Sequence, residues 1–119
     1  MHIIFGDSIN HIPDSFTVLE LDTFYVRERN ENVKTYCVLE KIPLVEFATL
    51  EEFEQAHSEL IKQYNLRNWT FCKNSIEALM GHWAGELDTF YQELEQRINN
   101  LIENPPGEEW TGVIEPNAH

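Results

Sequence analysis

The amino-acid sequence predicts an α+β domain in which an antiparallel sheet of three to four strands carries two helices packed on one face. Residues 2–42 are rich in the β-branched and aromatic side chains that strands favour. From Leu50 onwards, apolar residues recur at the three- and four-residue spacing of a helix face. The chain has 119 residues, 42% of them hydrophobic and 12% aromatic, so one domain with a substantial core is expected.

The strands come first in the chain. Residues 2–5, His-Ile-Ile-Phe, predict a short strand, and the Gly, Asp, Asn, Ser and Pro of residues 6–15 predict a loop. Residues 16–29 predict a long strand. Its apolar alternation is interrupted near Asp22, which indicates a β-bulge there.

The next segment predicts the second half of a β-hairpin. Asn-Glu-Asn at residues 30–32 predicts a turn, and residues 33–42 predict the return strand, which Pro43 ends. A further short strand is predicted at residues 69–72, Trp-Thr-Phe-Cys.

The first helix is predicted to begin at a capping box, with Thr49 as N-cap and Glu52 reaching back to it. Asn65 is the predicted C-terminal stop. The spacing predicts His57 to be a hydrogen-bonded core or boundary histidine rather than a metal ligand. The apolar face comprises Leu50, Phe53, His57, Leu60, Ile61 and Tyr64.

The second helix is predicted over residues 74–102, with Asn74 and Ser75 in its cap. Gly81 and Gly85 indicate a bend or break in its first half. Its apolar strip is predicted to pack on the sheet, with a dimer seam as the alternative, so the chain is expected to be a monomer or a homodimer. We expect one domain over residues 1–104 and a mobile acidic tail over 105–119.

Two cysteines, Cys37 and Cys72, are far apart in sequence and are predicted to be reduced and buried. No apolar stretch approaches the roughly 20 residues of a membrane span, and no signal-peptide pattern is present, so a cytoplasmic protein is expected. His82 and Glu86 have i, i+4 spacing, but a metal site needs three or more ligands. We therefore predict neither a metal nor a cofactor.

The segment Phe5-Gly6-Asp7-Ser8-Ile9 resembles the first motif block of the GDSL hydrolases. The resemblance implies that Ser8 is a nucleophile whose backbone N–H helps to form an oxyanion hole. That family also uses a Gly-x-Asn-Asp block, which has no counterpart in this sequence. Its late Asp-x-x-His is matched only approximately by residues 115–119, Glu-Pro-Asn-Ala-His. A serine without a positioned base is not activated, so the chain is predicted not to be an enzyme, with an esterase as the alternative.

The net charge of −13 is the main functional signal. It argues against direct nucleic-acid binding, because phosphates repel an acidic surface, and it favours basic partners. Carboxylates lie on the polar faces of both predicted helices with few basic residues to pair them; the spacing offers Lys62 to Glu59 and Arg97 to Glu93. Residues seven apart stand about 10 Å apart along a helix, so spaced rows are predicted for Glu52 with Glu59, Glu86 with Glu93, and Asp88 with Glu95. Such rows of carboxylates can imitate the phosphates of DNA. The predicted partner-binding residues are Glu51, Glu52, Glu54, Glu59, Glu86, Asp88, Glu93 and Glu95.

We therefore predict a non-enzymatic inhibitor of the DNA-mimic type, which binds and blocks a basic, nucleic-acid-binding protein. One alternative is an immunity or antitoxin protein that neutralises a basic toxin nuclease. Another is an interaction module in which the second helix or the segment around Trp110 docks into an apolar groove. Salt dependence separates these classes, since charge-driven association weakens with salt and apolar docking does not.

Overall fold

A computed structural model describes residues 2–13, 15–40 and 47–114 of the chain. It confirms the α+β class, with a three-stranded antiparallel sheet and α-helices. The chain forms two compact units, residues 1–44 with 112–119, and residues 45–111. We call them the sheet unit and the helical unit. The predicted packing of helices on one sheet face and the predicted tail mobility stay predictions.

The sheet unit contains β1 (His2–Phe5), β2 (Phe16–Val26) and β3 (Glu31–Glu40). The strand order is β1-β3-β2, and β3 pairs antiparallel with both neighbours. The hairpin predicted from the sequence is therefore the β2–β3 pair. β2 ends three residues earlier than predicted, because residues 27–29 form a short 3-10 helix before the turn. β3 begins two residues earlier than predicted. The predicted end of the return strand at residues 41–42 and its stop at Pro43 lie outside the described residues.

The bulge predicted near Asp22 is confirmed by a register shift between Glu20 and Thr23. Thr35 on β3 satisfies the bulged backbone on both sides. Its Oγ1 accepts a hydrogen bond from the Asp22 N–H and donates one to the Asp22 carbonyl, each at 3.1 Å. A buried threonine opposite a bulge thus replaces the missing ladder bonds.

The helical unit begins with α1 (Phe47–Asn65). The predicted stop at Asn65 is confirmed, whereas the helix begins two residues before the predicted N-cap Thr49. The predicted apolar face is buried at Leu50, His57, Leu60, Ile61 and Tyr64. Within the described ranges, no helix is long and apolar enough to cross a membrane.

The strand predicted at residues 69–72 is wrong, because these residues form the first turn of α2 (Trp69–Leu79). Asn68 is the N-cap, and its Oδ1 accepts a hydrogen bond from the Phe71 N–H at 3.4 Å. Cys72, Ile76 and Leu79 then lie on one buried face. The predicted cap at Asn74 is therefore wrong as well, since Asn74 lies inside α2.

The predicted second helix is interrupted near Gly81 and Gly85, as these glycines indicated. α2 ends at Leu79, and α3 spans Asp88–Glu103, so the described residues form three α-helices rather than two. Gly81 and Gly85 adopt φ of +83° and +79°, which no continuous helix allows. Residues 80–87 form the connecting loop, and Trp83 and Leu87 in it remain buried.

Candidate partner-binding surface

The four predicted carboxylates of α1 lie on its solvent side. Glu51 and Glu52 are exposed, and Glu54 and Glu59 are half-buried. Glu59 does not pair with Lys62, which the sequence offered as its partner; its Oε1 accepts a hydrogen bond from the Gln63 Nε2 at 2.8 Å instead. Glu52 and Glu59 are seven residues apart and so lie about 10 Å apart along the helix.

The other four predicted carboxylates are not on one helix. Glu86 lies in the loop before α3, so the row of Glu86 and Glu93 that a continuous helix would form is wrong. Asp88 opens α3, and its Oδ1 accepts a hydrogen bond from the Gly81 N–H at 2.8 Å. Glu93 is exposed and Glu95 is half-buried on α3. Asp88 therefore stabilises the loop as well as adding charge at the helix N-terminus.

Four of these carboxylates have no bonded partner among the described residues. Within the described residues, Glu51, Glu52, Glu93 and Glu95 form neither a hydrogen bond nor an ion pair. The ion pair of Glu93 with Arg97, which their i, i+4 spacing favoured, is not formed. The Arg97 guanidinium lies over the Tyr64 ring, 5.9 Å from its centroid. We call these four residues the unpaired carboxylates.

Charge is distributed unequally between the two units. Residues 45–111 include 13 acidic and 4 basic residues, a formal charge of −9, and the rest of the chain carries the remaining −4. In the sheet unit, Arg29 pairs with Glu31 at 2.6 Å and Lys34 with Glu20 at 3.4 Å. The excess of acidic over basic residues is the greater in the helical unit.

A buried polar cluster joins α1 to α3. His57 on α1 is fully buried, and its Nδ1 lies 2.9 Å from the Tyr91 Oη on α3. The Trp83 Nε1–H donates to the same oxygen at 3.0 Å. The prediction that His57 is a hydrogen-bonded core residue is confirmed. Since the cluster joins α1 to α3, it links the two helices that carry the unpaired carboxylates.

The segment after α3 is held by Arg67, a residue that the sequence did not single out. Its guanidinium donates to the carbonyls of Pro106, Gly107 and Trp110 at 3.3, 2.6 and 3.2 Å. It also lies over the Trp110 ring, 5.4 Å from the centroid. The Trp110 ring packs edge-on against Tyr64 and Trp69. Docking of Trp110 into another protein would first have to break these contacts.

The remaining sequence candidates are placed as follows. Ser8 lies exposed in a 3-10 helix over Gly6–His11, and His119, the base that the GDSL resemblance requires, lies outside the described residues. His82 is exposed, and its ring packs at a tilt of 44° against the Phe53 ring, with centroids 4.6 Å apart. Among the described residues, no three His, Cys, Asp or Glu side chains are grouped to hold a metal ion. No family model, curated protein or solved structure matches this chain.

Both cysteines are free thiols and buried, as predicted. Burial raises the pKa of the Cys72 thiol from 9.0 to about 11. Because the folded pKa is the higher one, this thiol stabilises the fold fully below about pH 9, and that contribution is lost as the pH rises through about 11. We expect the stability of Cys72→Ala to fall less steeply between these pH values than that of the unmodified chain. Denaturant midpoints at successive pH values measure this, and equal slopes would contradict it.

Proposed function

We propose that the chain is a non-enzymatic inhibitor that binds a basic, nucleic-acid-binding protein and occupies the surface meant for phosphates. The observation that carries the proposal is the group of unpaired carboxylates, two on α1 and two on α3. On ordinary protein surfaces both signs of charge are interspersed. Unpaired like charges repel one another and destabilise the compact state, so a binding role offers a reason for their presence.

The scaffold supports this role. A decoy for DNA needs charges held at fixed positions, because phosphates recur regularly along the duplex. α1 and α3 are rigid elements joined by the His57–Tyr91–Trp83 cluster. Residues one or two helical turns apart keep their separation, as Glu52 and Glu59 do. The charge of −9 on the helical unit would also steer a basic partner towards it.

The first experiment is capture of partners from a lysate on the tagged chain at about 50 mM and about 500 mM salt, where the Debye length falls severalfold. The proposal expects a basic DNA-binding protein or nuclease that is retained at low salt, released at high salt and displaced by added DNA. A neutral or acidic partner that stays bound at high salt would contradict it and favour apolar docking.

Neutralising the unpaired carboxylates tests the surface itself. We expect the variant with Glu51, Glu52, Glu93 and Glu95 all changed to Gln to bind the captured partner at least about tenfold more weakly. These side chains have no partners to lose, so the fold should keep its stability within about 1 kcal/mol. Calorimetry or surface plasmon resonance at fixed salt measures the affinity.

The matched control removes the same charge elsewhere. Four other exposed glutamates outside the predicted surface are changed to Gln together: Glu28, Glu77, Glu103 and Glu108. This control lowers the net charge equally, so it slows long-range steering to a similar extent. If both variants weaken binding equally, the charge acts as a general field and the proposed contact surface is wrong.

A further inference from the structure

We draw no further inference here: the strongest candidate, the β1 edge of the sheet with its exposed Ile3 and Phe5 side chains, carries no proposal because nothing in the structure shows what covers it.

Discussion

Tyr91→Phe is expected to destabilise the helical unit by about 2–4 kcal/mol, because it leaves two buried polar groups without their shared partner. The Tyr91 hydroxyl is fully buried. It accepts from the Trp83 indole N–H and lies within hydrogen-bond distance of the His57 imidazole. Loss of the oxygen removes one hydrogen bond from each of these groups, and water cannot replace it in a packed core without opening the structure.

The measurement is denaturant unfolding followed by tryptophan fluorescence. All three tryptophans, Trp69, Trp83 and Trp110, lie in the helical unit, so their signal reports on it directly. The matched control is Tyr25→Phe, which removes a hydroxyl that donates to Asn30 Oδ1 at 2.6 Å on the surface. Circular dichroism should show the control changed by less than about 0.5 kcal/mol. A loss below this value for Tyr91→Phe would contradict a stabilising role for the cluster.

The sequence could predict the features that depend on neighbours along the chain. The α1 face and its end at Asn65 follow from periodicity and a stop residue, and both are confirmed. Gly81 and Gly85 predicted the break before α3, because glycine readily adopts the positive φ that the loop requires. The position of His57 between apolar residues of one face predicted its burial.

Other features were missed because they depend on a residue outside the segment considered, either a neighbouring cap residue or a contact far along the chain. Trp-Thr-Phe-Cys at residues 69–72 has strand propensity, but a four-residue run cannot be separated from a helix by periodicity. The signal that decides it is Asn68 as an N-cap, followed by an apolar row from Cys72 to Leu79. The partner of His57 is 34 residues away along the chain and could not be predicted from local spacing.

The candidate surface was also predicted only in part. Residue types predicted that the carboxylates of α1 are on its polar side, as the structure has them. The wrong row of Glu86 and Glu93 followed from assuming one continuous helix. Arg97 illustrates a further limit, because its i, i+4 spacing from Glu93 offered an ion pair, whereas its guanidinium lies over the Tyr64 ring. Glu93 is therefore left among the unpaired carboxylates by a tertiary contact.

Replacing Arg67 is the second change that we expect to have a large effect, because the Arg67 side chain holds residues 106–110 in place. Arg67 has a left-handed backbone, with φ of +64°, which is unfavourable for a residue with a Cβ. Its planar guanidinium reaches three carbonyls and the Trp110 ring. A lysine at this position would keep the charge but could not reproduce the fork of donors.

Arg67→Ala is therefore expected to release the segment around Trp110 while α1 and α3 stay folded. Hydrogen bonds from a charged group contribute about 1.5–3 kcal/mol each, and the partial exposure of these bonds reduces their contribution. We therefore expect the free energy of local unfolding of residues 106–110 to fall by about 2–3 kcal/mol. The Trp110 N–H, which donates to the Gly107 carbonyl at 3.1 Å, should then exchange with solvent about 30- to 150-fold faster. Arg67→Lys should accelerate this exchange as well, to a smaller extent. Unchanged exchange at Trp110 in Arg67→Ala would show that the aromatic contacts with Tyr64 and Trp69 hold the segment without Arg67.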